Sequence, residues 1–167
     1  GSVNPIGGKK ALLKMRWGKT AEEMLFKGAP PALKFAEGEN PRREAGKRPT
    51  SLMGYEAVFR RYLEKARQYE QSWEEYRLRK AAGGRPLLPP RRDLQMEPLV
   101  EVLRGERLVN VHCYSAREME MMMRVAEDYG FKIRTFEHAS QSYLVAAELA
   151  RHGATATIFA DVVLDTT

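Results

Sequence analysis

From Asp93 onward the chain repeats one pattern, and that pattern limits the folds open to it. Asp93 opens a helical stretch to Leu103, closed by Gly105, and Leu108-Val-Asn-Val-His-Cys follows as an apolar strand. Ser115, with Glu118 three residues on, is a capping box that starts a helix through Met119, Met122, Met123 and Val125 to Gly130. Phe131 to Phe136 is the next strand, and Ser140 or Ser142 opens a helix through Leu144, Val145 and Leu149 to Gly153. Ala154 to Ala160 is the last strand. Strands alternating with helices over short connections make βαβ units and hence a parallel sheet. The Met119 to Met123 cluster, at helical spacing, reads as core filler.

The earlier half is less regular. Lys9 to Trp17 has an apolar centre flanked by lysines and suits either a strand or a short helix. Thr20-Ala-Glu-Glu is a second capping box, for a short helix ending near Gly28. Ala32 to Ala36 is a short strand candidate with Lys34 at its centre. Residues 38–49, polar and rich in Gly, Pro and Arg, form a loop. Thr50 or Ser51 then caps the longest helix, where Phe59, Tyr62, Leu63, Ala66, Tyr69, Trp73 and Tyr76 recur every three or four residues. Residues 81–92, with two glycines and three prolines, are a further loop.

A chain of 167 residues is long enough for a single domain with a core. Residues 1–8 are a terminal segment, and Gly1-Ser2 reads as a cloning remnant. No apolar run approaches the roughly 20 residues of a membrane span, and no leader pattern is present. Cys113 is the single cysteine, so no internal disulfide can form, and a reducing compartment such as the cytoplasm is expected. The net charge of +6 comes with basic clusters at Arg42, Arg43, Lys47 and Arg48 and from Arg77 to Arg92. No aromatic residues interleave the second cluster to stack bases, so a solvated surface is favoured over nucleic-acid binding.

Three histidines are informative by position. His112 and His138 each fall at the C-terminal end of a strand, one strand–helix repeat apart. Reactive groups gather at that end of parallel strands, and imidazole is a common zinc ligand. One such histidine would more simply satisfy a strand end; two at equivalent places favour a site. His152, at a helix C-terminus, is assigned a structural role as a cation against the helix dipole. Cys113 points to the face opposite His112 and reads as a buried thiol. Lys34 must be paired, lowered in pKa or chemically altered, or must snorkel from a strand edge. A carbamylated Lys34 would be an anionic oxygen ligand able to bridge metal ions.

Three segments resemble successive parts of the amidohydrolase superfamily, most closely its imidazolonepropionase-like and prolidase-like members. They are Ala32-Leu-Lys-Phe-Ala-Glu-Gly-Glu-Asn-Pro, Val109-Asn-Val-His-Cys-Tyr-Ser-Ala-Arg-Glu and Phe136-Glu-His-Ala-Ser-Gln-Ser-Tyr. Gly28-Ala-Pro-Pro and Pro89-Pro-Arg-Arg-Asp add to the likeness, which runs from about Ile6 to Asp161. The resemblance implies an α/β fold, an incomplete (β/α) TIM-type barrel with parallel strands and a long helical insertion. In it Lys34, on the fourth barrel strand, would be the bridging carbamylated lysine, and His112 and His138 the ligands on the fifth and sixth. Tyr114 and Arg117, just past the fifth strand, would be substrate contacts.

The implied cofactor is a divalent metal, zinc being the expected ion, and the implied substrate a small amide or peptide-like molecule. The family's first-strand His-X-His is absent from the chain, and nothing here corresponds to its eighth-strand aspartate; Asp161 falls on the seventh strand. The expectation is therefore a metallohydrolase fragment, inactive alone and without its full metal set. Open sheet edges would drive it into a homo-oligomer. A non-catalytic scaffold and a basic nucleic-acid-binding module are the alternatives.

Overall fold

The computed structural model describes residues 3–42, 51–83 and 87–160. Strand β1 spans Ile6–Lys10, β2 Ala32–Ala36, β3 Leu108–His112, β4 Ile133–Glu137 and β5 Thr155–Thr157. They form one sheet in the order of the sequence, β1-β2-β3-β4-β5. From β2 to β5 every pairing is parallel. The first pairing is antiparallel: Ile6 stands opposite Phe35 and Lys10 opposite Ala32.

β1 departs from the Lys9 to Trp17 expectation. Its Gly7-Gly8-Lys9-Lys10 carries no apolar signal, and extended structure there depends on pairing with β2. The apolar residues that follow instead form an irregular excursion, closed by a single bridge from Leu13 to Leu25. Within it lies the short helix α1, Ala21–Met24, with the Thr20–Glu23 capping box formed. Loop 38–49 also contains an unexpected turn of helix, α2, Glu39–Arg42. Arg43, Lys47, Arg48, Thr50 and Asp161 lie outside the described residues.

Helix α3, Leu52–Ala81, starts at Ser51, whose hydroxyl accepts from the Gly54 N–H. Tyr55, Phe59, Leu63 and Ala66 bury its first half against the sheet, and Phe59 stacks on Phe35 at 5.0 Å. Helix α4, Glu97–Leu103, begins three residues later than the Asp93 cap implied. Asp93 caps a tight turn instead, its carboxylate accepting from the Gln95 and Met96 N–H groups. Helix α5 spans Ala116–Tyr129 and buries Met119, Met121, Met122 and Met123 in the core, as a filler cluster should be. Helix α6, Ala146–His152, follows a 3-10 turn over Ser142–Val145.

Side chains alternate across a strand, and that alternation divides the sheet. Leu33, Phe35, Val109, Val111 and Phe136, with Ile133 brought to the same side by the register shift between Ile133 and Thr135, belong to the buried apolar core packed beneath the helices. Lys34, Asn110, His112 and Glu137 occupy the other face, aligned by register: Lys34 beside Asn110, and His112 beside Glu137. The sheet therefore has an apolar, helix-covered side and a polar side.

Candidate functional site

The polar side is built around one carboxylate. Glu137 ends β4 and accepts a hydrogen bond from Lys34 Nζ at 2.9 Å and from Asn110 Nδ2 at 3.3 Å. Lys10 Nζ, from β1, pairs with Oε1, the oxygen that Asn110 also meets, while Lys34 holds Oε2. Burial alone would push the Glu137 carboxyl up, but the hydrogen bonds from Lys10 and Lys34 outweigh it and hold the pKa at about 2. Lys34 is thus a paired ammonium, one of the states expected of a lysine in a short strand.

The two histidines meet at the strand ends. His112 closes β3 and is 2% exposed. His138 follows β4, and the ring centroids lie 4.8 Å apart. Tyr114 packs edge-on to His112 at 5.0 Å, and Phe159 stacks on His138 at 4.3 Å. Burial, then the charges of His138 and Lys34, lower the His112 pKa to about 4. Burial, with Lys34 nearby, lowers that of His138 as well. Both rings are therefore neutral at neutral pH, the form in which imidazole binds metals.

Each ring is held differently. His112 Nε2 lies 2.7 Å from Asn40 Nδ2, on the helical turn α2 that follows β2. His112 Nδ1 is buried with no hydrogen-bond partner. His138 has φ of 66°, a left-handed conformation unusual outside glycine. The neighbouring chain fixes that turn: the Ser140 N–H donates to the His138 carbonyl, and the Ala139 N–H to that of Thr157.

Among the described residues, no group of three His, Cys, Asp or Glu side chains is placed to hold a metal. The donors on this face are the two imidazoles, one with a free buried nitrogen, and the Glu137 carboxylate, which is already held by Lys10, Lys34 and Asn110; Lys34 is the further candidate. Two neutral imidazoles, one of them with an orphaned nitrogen, fit a metal ion. An ammonium has no lone pair to give, so Lys34 fits only in an altered form.

Of the remaining candidates, Tyr114 borders both imidazoles, whereas Arg117 is exposed on the first turn of α5 and forms no ion pair among the described residues. Cys113 is fully buried on the opposite face, its thiol pushed up by burial and then by Glu37 and Glu118. His152 is structural but not cationic. Burial lowers its pKa, and its Nε2 accepts the Ile133 N–H at 3.4 Å, which requires the neutral ring. A hollow of about 490 Å³ between β1 and helices α3 and α4 contains none of the residues on the polar face.

Glu137, Lys10 and Asn40 were not anticipated. Glu137 adjoins His138 at a strand end, a local signal; its bond to Lys34 joins residues 103 apart and needs the sheet register.

No family model matches the chain. The amidohydrolase tasK of Hapsidospora irregularis is 35% identical over 169 residues, covering 90% of this chain. A crystal structure of an amidohydrolase from Thermotoga maritima MSB8 matches 100% of the chain with a TM-score of 0.82 at 29% identity. The chain belongs to the amidohydrolase superfamily. It spans 17% of the length of the first relative and 42% of the second. The amidohydrolase match identifies the mostly parallel sheet and its helices as an incomplete (β/α) barrel, with α3 the long helical insertion between β2 and β3. Among the described residues no helix of this amidohydrolase chain is long and apolar enough to cross a membrane.

Proposed function

We propose that this chain, as a single partial-barrel domain over residues 1–167, forms the metal-facing wall of an amidohydrolase that cleaves an amide or cyclic amide bond. The observation that carries the reading is the pair of neutral imidazoles, 4.8 Å apart at successive strand ends, with His112 Nδ1 buried and free. His112 and His138 would hold a divalent ion such as zinc, joined by Lys34 in carbamylated form. The ion, when bound, supplies Lewis acidity toward the scissile carbonyl and the attacking water. A carbamate on Lys34 would bring a second negative charge beside Glu137, and Lys10 is in place to offset it. Tyr114, against both rings, would contact a small amide or peptide-like substrate, with Arg117 at its margin. The isolated chain is inactive, in this reading, because two imidazoles and one lysine are too few to fix both metal and water.

Zinc uptake tests it. The parent chain should bind Zn²⁺ in a calorimetric titration, and His112→Ala and His138→Ala should each weaken binding by about tenfold or more. Uptake unchanged in both variants would overturn the reading. Metal-dependent turnover of a dipeptide or acyl-amino acid by the isolated chain would overturn its inactivity.

A further inference from the structure

The environment of His112 assigns a role to a residue that no motif points to. Asn40 reaches His112 from the turn after β2, with 2.7 Å between its Nδ2 and His112 Nε2 and 3.4 Å between Nδ2 and the Tyr114 hydroxyl. The oxygen and nitrogen of a primary amide occupy nearly the same volume, so these contacts can be made in either sense.

The two senses leave different protons on the imidazole. If the Asn40 amide nitrogen donates to Nε2, the ring proton must sit on Nδ1. That N–H is buried and has no acceptor, and an orphaned buried donor costs about 1–3 kcal/mol. If the amide oxygen faces the ring, the Nε2–H donates to it, and the Tyr114 hydroxyl can donate to the same oxygen. The ring proton and the Tyr114 hydroxyl proton then both have an acceptor, and the unpaired ring atom is Nδ1, which presents a lone pair. An acceptor left open in this way is a vacancy a cation can fill.

We propose that Asn40 sets the tautomer of His112: its amide oxygen accepts the Nε2–H and leaves Nδ1 as the ligating nitrogen. Asn40 is thus a positioning residue. Its purpose rests on the metal reading above, while the tautomer itself can be observed without metal. Histidine ligands commonly donate their other ring N–H to an oxygen in this manner, which fixes ring orientation and tautomer.

The experiment is a long-range ¹H–¹⁵N correlation spectrum of the ¹⁵N-labelled, metal-free chain at neutral pH, which reports which nitrogen of His112 carries the proton. The parent should show the Nε2–H tautomer. Asn40→Asp, which keeps an oxygen and can only accept, should preserve it. Asn40→Ala should convert His112 to a mixture or to the Nδ1–H form, with the backbone amide spectrum confirming that the variant is folded. An Nδ1–H tautomer in the parent, or an unchanged tautomer in Asn40→Ala, would overturn the proposal.

Zn²⁺ titration of the same three proteins separates the two claims. Affinity should fall about 10–100-fold in Asn40→Ala and recover in Asn40→Asp. A parent that shows the Nε2–H tautomer but takes up no Zn²⁺ would overturn the metal reading and support the orienting role alone.

Discussion

Three residues after Lys34, strand alternation carries a carboxyl to the wrong side of the sheet. Glu37 is fully buried behind β2, and neither of its oxygens has a hydrogen-bond partner. Burial raises its pKa well above the ordinary range, and the charges of Glu118 and Glu56 push it further the same way. The folded chain therefore holds this proton more tightly than the unfolded chain. Its contribution to stability is complete below the unfolded value of about 4.3 and is lost as pH rises through the folded value. Glu37→Gln should flatten that decline and raise the urea midpoint at neutral pH. An equal loss of midpoint between mildly acidic and neutral pH in both proteins would count against it. The same scale shows what sequence can and cannot give. His112 and His138 were legible because a strand end is a local address. Glu137 and Asn40 were not, because their roles depend on partners 103 and 72 residues away.

Elements were read best where both ends carried chemistry. The start of α5 was legible from Ser115 and Glu118 alone, and both halves of that box form. The Ser115 hydroxyl accepts the Glu118 N–H, and the Glu118 carboxylate accepts those of Tyr114 and Ser115. Because this cap also holds the chain leaving His112, Ser115→Ala should lower stability by about 1 kcal/mol in chemical denaturation. A loss below a few tenths would show that Glu118 alone suffices. The α3 stripe was legible for the same reason, its Ser51 cap preceding regular apolar spacing. β1 was not: two glycines and two lysines have no strand propensity of their own, and only the ladder with β2 makes them extended. Asp93 misled because a carboxylate serves a tight turn as readily as a helix.

At the scale of the whole molecule, the sheet has two ends among the described residues. β1 forms one and β5 the other, with Thr155, Ala156 and Thr157 exposed along it and Ile158 and Phe159 exposed just beyond. A strand whose ladder groups are unpaired is a template for another chain, and closing a barrel removes such edges. We expect copies of this chain to pair through them. Light scattering should give a mass above 19.0 kDa that rises with concentration, and a strictly monomeric mass at high concentration would refute it. The parallel sheet itself was legible in the repeat after Asp93, since short connections between alternating strands and helices allow few other topologies.

The left-handed backbone of His138 sets two demands on one position. A residue with a β-carbon costs about 1–2 kcal/mol in that conformation, a penalty glycine escapes. Optimised for folding alone, position 138 would carry glycine and lose its imidazole. The histidine stands there at the expense of stability, so this corner of the sheet is where durability and chemical capability trade against each other.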